Sequence, residues 1–242
     1  PISVTGFEGT KNERSLRKGS CAGQFGMEMV TLENGGLVKS IHGGLYRNSV
    51  WYSMYGGKGE MESGRNAAKD GEIQKIYLKY DAYSGGYDTS TYETYEPKHG
   101  MDEKAKGFGH GGSDFYCMYH FVEKIKGNHD ADIIDVYEAM DMFLPGMFAY
   151  RSILNGGVPT EIPDLRDKKQ RDIWRNDTAC TDPAVAGDML LPTFSKGTPD
   201  IDDGVYEYVK KLWEEERSLK EKEKEKGKNA PADVSGSGKK EN

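Results

Sequence analysis

The sequence predicts an α+β fold: an open, mostly antiparallel β-sheet with helices packed on one face, plus a C-terminal helix and a disordered charged tail. Three observations predict it. Short runs with alternating apolar residues fill the first third of the chain, punctuated by turn residues. Segments with a helical apolar period follow, opening on helix-start signals. From Glu214 onward the residues are almost all charged or small, which leaves little to bury. The expected division is a domain at 1–199, a helix at 200–225 and a disordered tail at 226–242.

Pro1-Ile2-Ser3-Val4-Thr5-Gly6-Phe7 reads as a strand, Ile2 and Val4 alternating with Ser3 and Thr5. A strand at the first residue leads us to expect a chain cut from a longer protein. Phe25 to Glu33 and Leu37 to His42 flank Asn34-Gly35-Gly36, the strongest short hairpin signal, since both turn residues tolerate positive φ. Ser49 to Tyr55 is expected as a third strand of this group. Gly56-Gly57-Lys58-Gly59 turns the chain into Glu60-Met61-Glu62-Ser63, and Ile73 to Tyr80 alternates as one more strand. Asp81 to Phe108 loses the pattern and is expected to be a long surface loop.

Helices follow. Ser113 is placed to cap a helix that carries Met118, Phe121, Val122 and Ile125 on one stripe and ends at Gly127-Asn128. Asp135 and Glu138 have capping-box spacing. Their helix should run to about Leu154, kink at Pro145-Gly146 and stop at Asn155-Gly156-Gly157. Pro159 to Pro163 is extended. Val205, Val209, Leu212 and Trp213 have the spacing to dock a last helix.

Composition narrows the function. A net charge of −7 opposes a general nucleic-acid binder, which needs a basic face. No apolar run approaches the ~20 residues of a membrane helix. Three cysteines, Cys21, Cys117 and Cys180, lack paired spacing, so a reducing, cytoplasmic setting is expected. Cys117 reads as a small buried apolar residue. The sequon Asn176-Asp177-Thr178 is read as chance. The 15 tyrosines suit strands and binding clefts.

Chemistry-bearing motifs are few. Lys58 lacks the Ser or Thr that completes a phosphate loop, and no GxGxxG follows a strand. The five histidines show no metal-ligand spacing. Gly109-His110-Gly111-Gly112-Ser113-Asp114 is the sharpest segment. Its glycines let backbone approach a ligand, and a helix start offers N–H groups beside the imidazole. A loop-to-helix entry in which His110 is a structural hydrogen-bonder fits the same spacing equally well.

Three segments occur in a telling order: Gly107-Phe108-Gly109-His110-Gly111-Gly112-Ser113-Asp114-Phe115, Ile134-Asp135-Val136-Tyr137-Glu138-Ala139, and Gly156-Gly157-Val158-Pro159-Thr160-Glu161-Ile162-Pro163-Asp164. Over roughly residues 1–195 the chain resembles the C-terminal domain of Gfo/Idh/MocA-type oxidoreductases, closest to the branch with NAD-dependent glycosidases. The resemblance implies a substrate and oligomerisation domain. The NAD- or NADP-binding Rossmann domain, the EKP lysine and the catalytic histidine of the family all lie upstream of the strand at Pro1. No catalytic residue is therefore expected in this chain, and no cofactor bound by it alone.

Two classes of function follow. In the first, the chain is the substrate-binding part of an NAD(P)-dependent oxidoreductase acting on a sugar-like hydroxyl, including redox-assisted glycoside cleavage. His110 and Asp114, within the family motif, and Arg17 and His42, from side-chain chemistry alone, would bind hydroxyls. Tyrosines between Tyr83 and Tyr95 would offer flat faces to a sugar ring. Its partners would be a sugar-like small molecule, the Rossmann domain and copies of itself through a sheet face, with no nucleic acid or membrane. In the second, it is a stand-alone carbohydrate-binding or assembly module. The coding sequence upstream of Pro1 separates the two. Calorimetric titration of this chain with NAD and NADP should give no heat of binding; micromolar binding would overturn the reading as a second domain only.

Overall fold

A computed structural model describes residues 1–9, 25–43, 51–64, 75–80 and 91–228. The chain divides into two compact units, 1–44 with 145–242, and 45–144. The α+β expectation holds, but the strands fall into two four-stranded antiparallel sheets, not one.

In the first unit, β1 (Ser3–Glu8), β2 (Phe25–Thr31), β3 (Leu37–Gly43) and β8 (Thr160–Glu161) form a sheet in the order β3-β2-β1-β8. The β2–β3 hairpin differs from the expected turn. Leu32 carbonyl accepts from Gly35 N–H at 2.9 Å, and Leu32 N–H donates to Gly36 carbonyl at 2.9 Å. Only Gly35 takes positive φ, at 83°, so Glu33-Asn34 make the turn and Gly35 the bulge that restores register.

Helix α3 (Val136–Leu154) opens on the expected capping box: Glu138 N–H donates to Asp135 Oδ1, and Asp135 N–H to Glu138 Oε2, each at 2.8 Å. Pro145 lies within the helix, which continues through it. The Ala149 turn lies directly on β1. A Cβ on Gly6 would stand 2.1 Å from the Ala149 carbonyl oxygen. Ser152, fully buried, accepts from Gly6 N–H at 3.0 Å and donates to the Val158 carbonyl at 2.6 Å. Gly157, at φ 79°, then returns its N–H to the Ser152 carbonyl at 2.7 Å. Val4 and Val30, paired across β1 and β2, are buried with Phe148, Ala149, Ile162 and Phe194 in the unit.

Short helices α4 (Lys168–Ile173) and α5 (Pro183–Ala186) are capped by Asp167 and Asp182 side chains. Arg151 pairs with Asp177 and lies over the Trp174 ring, 5.1 Å from its centroid. In α6 (Asp203–Lys228), Val209 is buried, but Leu212 and Trp213 are exposed, so less of that face docks than its spacing predicts. Residues 229–242, most of the expected tail, lie outside the described residues.

In the second unit, β4 (Ser53–Gly56), β5 (Gly59–Ser63), β6 (Ile76–Tyr80) and β7 (Thr91–Tyr95) pair in that order. The expected third strand of the first group is thus β4 of this sheet, and β7 falls within the expected loop. Positions 49–50, 73–74 and 81–90 of the expected elements lie outside the described residues. Gly56 pairs with Gly59 around Gly57-Lys58, so Lys58 sits in a hairpin turn. Here α1 (Asp102–Ala105) precedes α2 (Ser113–Ile125). None of the α2 residues is buried. Its expected stripe, Met118, Phe121, Val122 and Ile125, is exposed. Cys117 is exposed as well, the reverse of the burial expected for it. Among the described residues no helix is long and apolar enough to cross a membrane.

The Ser152 bridge yields a direct test. Ser152→Ala leaves Gly6 N–H without its partner in a dry site and should cost about 1–3 kcal/mol. Gly6→Ala drives a methyl into the Ala149 carbonyl and should cost about as much or more. Urea unfolding measures both; an unchanged midpoint for either would show that helix and strand separate freely.

Candidate functional site

The glycine-rich segment folds into a strained loop between α1 and α2. His110 has φ 52°, and it is the one described non-glycine residue with positive φ. Gly111 and Gly112 follow at 69° and 100°. Three successive left-handed residues suit glycine and are costly for histidine, although histidine tolerates the region better than most. Strain of this kind concentrates at functional sites.

The loop aims His110 at Asp114, one turn into α2. His110 Nδ1 and Asp114 Oδ1 are 2.8 Å apart. A carboxylate has no proton to give, so Nδ1 donates. The neutral ring then carries its lone pair on Nε2, pointing away from the carboxylate. The His110 side chain is 84% exposed, so a ligand can reach it. Gly109 is needed for the pairing: a Cβ there would lie 2.2 Å from Asp114 Oδ2.

The helix start is less open than the sequence suggests. Ser113 does not cap α2; Gly112 occupies the cap position without a side-chain bond, and Ser113 Oγ donates to the His110 carbonyl at 2.9 Å. The N–H groups of Gly112 and Asp114 donate to the Gly109 carbonyl, and that of Ser113 to His110. These donors are used within the loop. The imidazole, not the helix terminus, is what a ligand would meet.

Behind the loop lies a cluster that sequence reading missed. Tyr116 hydroxyl donates to Asp102 Oδ1 at 2.5 Å, and His99 N–H donates to Asp102 Oδ2 at 2.8 Å. His99 and Tyr116 rings meet edge to face at 4.4 Å. His120 Nδ1 accepts Asp132 N–H at 3.1 Å. Desolvation first, and then the Asp102 carboxylate, push the Tyr116 phenol up to about 12. The Tyr116 hydroxyl and then the His99 N–H hold Asp102 below its usual value. A tyrosine fourteen positions from an aspartate, across a loop, has no sequence signature.

His42 belongs to the first unit. On β3, its Nε2 lies 2.7 Å from Ser40 Oγ. Beside them burial pushes the Glu28 carboxyl up, while His42 and Ser40 pull it back. Arg17 lies outside the described residues. Of the four expected binding residues, the structure therefore joins His110 and Asp114. No group of three or more metal-ligating side chains occurs among the described residues.

Residues 52–172 match a family model described as glycosyl hydrolase 109, C-terminal domain. Two curated relatives carry the name glycosyl hydrolase family 109 protein. The one from Streptomyces coelicolor is 30% identical over 147 residues, 56% of this chain. The one from Solibacter usitatus is 33% identical over 97 residues, 40% of this chain. The matches span 29% and 20% of those proteins. A solved levoglucosan dehydrogenase, in complex with NADH and L-sorbose, shares the fold at TM-score 0.50 and 12% identity, covering 69% of this chain and 46% of that one.

The raised Tyr116 phenol can be checked. It stays protonated in the fold after it would ionise in the unfolded chain, so its contribution to stability is lost as pH rises from about 10 to about 12. The absorbance change at ~295 nm that Tyr116→Phe removes should centre near pH 12. A centre at 10 would show that the phenol is not bonded.

Proposed function

Because this chain belongs to the family of glycosyl hydrolase 109 C-terminal domains, of Gfo/Idh/MocA-like type, we propose that it forms the sugar-binding side of an NAD(P)-dependent enzyme acting on a sugar or sugar-like hydroxyl. Redox-assisted glycoside cleavage is the reaction that best fits the family and the site. The observation that carries this reading is the exposed imidazole of His110, fixed through Nδ1 by Asp114.

Breaking a glycosidic bond leaves an alkoxide that needs a proton, and adding water or a hydroxyl requires one to be taken away. The His110 ring is suited to both. Its neutral form takes a proton at Nε2 from a hydroxyl, and its cation returns that proton to a leaving oxygen. Asp114 keeps Nε2 outward and stabilises the cation. The reading thus gives His110 proton transfer as well as the hydroxyl binding expected from the sequence, and so departs from the expectation that no catalytic residue lies in this chain. Asp114 orients it, and Arg17 and His42 are retained as proposed hydroxyl-binding residues.

Among the described residues, the strand topology offers no dinucleotide fold. Every strand pairing among the described residues is antiparallel, whereas the dinucleotide fingerprint lies at the first turn of a parallel βαβ unit. We assign NAD or NADP to the Rossmann domain of the full-length protein. Exposed Tyr52, Met54 and Tyr95 on and beside the second sheet support a homo-oligomer through a sheet face, and three cysteines without paired spacing support a cytoplasmic setting.

In the full-length enzyme, His110→Ala should lower kcat/KM by about 10²–10⁴-fold for an alkyl glycoside. It should lower it far less for an aryl glycoside whose phenol leaves without acid help. The melting temperature should move little. A variant that melts several degrees lower but turns over both substrates normally would mark His110 as structural only.

A further inference from the structure

We infer that Asp102 and Tyr116 are positioning residues: their hydrogen bond holds α1 against α2 and thereby keeps the imidazole of His110 on Asp114. The inference rests on the proton-transfer reading for its functional meaning but not for its geometry.

The two partners of the His110–Asp114 bond sit on different pieces of chain. Asp114 is in the first turn of α2, and His110 is on the strained loop before it. Three successive residues in left-handed conformations do not hold themselves in place; the surroundings must fix them. What the loop rests on is α1. Gly112 is buried, and a Cβ there would stand 3.1 Å from the Ala105 side chain. Phe108 N–H donates to the Ala105 carbonyl at 3.1 Å, tying the loop's entry to the same residue.

But α1 is one turn of four residues with no side-chain cap, too short to be stable alone. Asp102 anchors it. One carboxylate oxygen takes His99 N–H, and the other takes the Tyr116 hydroxyl from α2. The Phe108 ring, 5.3 Å from Phe115, is the second clamp between loop and helix. Ala105 lies one helical turn from Asp102, so slippage of α1 is transmitted to Gly112 and then to His110. Neither Asp102 nor Tyr116 is hydrogen-bonded to His110 or Asp114.

The test uses this chain with ¹⁵N-labelled histidine. In the wild type, the ring nitrogens of His110 should report the Nδ1–H tautomer. In Tyr116→Phe they should shift toward the Nε2–H form that free imidazole prefers, while His129 is unchanged and the melting temperature moves by less than ~2 °C. Asp102→Asn should give the same shift, and the double variant no more than either alone. A wild-type His110 spectrum in both single variants overturns the inference. So does a change that appears in His110 and His129 together with a large fall in melting temperature.

The kinetic arm separates this inference from the reading it rests on. In the full-length enzyme, Tyr116→Phe should lower kcat several-fold with KM within about twofold. If the tautomer is lost but kcat stays normal, the proton-transfer reading falls and the positioning stands. If kcat falls in His110→Ala but neither tautomer nor kcat responds to Tyr116→Phe, the reading stands and the positioning falls.

Discussion

A single hydroxyl joins strand, helix and returning strand in the first unit. β1 is paired along its length with β2 but meets β8 only at Ser3 and Val4. The Gly6 N–H faces the side where β8 has ended, and a buried N–H left alone there would cost as much as a lost hydrogen bond. Ser152 reaches from the helix to accept it, then donates to Val158, which leads into β8. This works only because residue 6 has no side chain. The helix backbone comes so close to the strand that any Cβ would collide. The burial of Val4 and Phe148 and the Gly156-Gly157 turn sit around that contact.

The candidate site is organised on the opposite principle. The His110 side chain itself is exposed, and its order comes from a few directed bonds together with the packing of Gly112 on Ala105. Gly109 makes room for the Asp114 carboxylate, while Gly111 and Gly112 accept dihedrals that side chains resist. Such a loop is cheap to displace and therefore depends on neighbours that are themselves hydrogen-bonded. That exposure leaves the His110 ring open to the sugar-like ligand proposed for it.

Elements whose signals are local were legible in the sequence. The β1 alternation, the hairpin glycine and the Asp135–Glu138 box depend on residues within a few positions of one another, and they appear where expected. β7 was hidden because Thr91-Tyr92-Glu93-Thr94-Tyr95 holds no aliphatic residue and its two tyrosines fall on opposite faces, so no apolar alternation marks it. The apolar stripe of α2 has helical spacing, yet periodicity says nothing about whether a face finds a partner. Cys117 misled for the same reason: residue type predicts burial only on average. In the site, the His110 motif stood out by its glycines, but its tie to Asp114 followed from a turn geometry no spacing encodes. Asp102 and Tyr116 come together across a loop, so their pairing needed the fold.

The border between the two units falls inside α3, between Leu144 and Pro145, and not in a linker. Helical order is cooperative, so melting of either unit would ordinarily fray the other along the shared hydrogen-bond ladder. Proline interrupts that ladder, because it has no N–H to give to the carbonyl one turn back. It is also well tolerated in the first turn of a helix. A helix beginning at Pro145 would therefore lose little, and one ending at Leu144 would keep the capping box at Asp135. Pro145 is thus the point in α3 where one bond of the helical ladder is missing, so the helix is least tightly coupled along its length there.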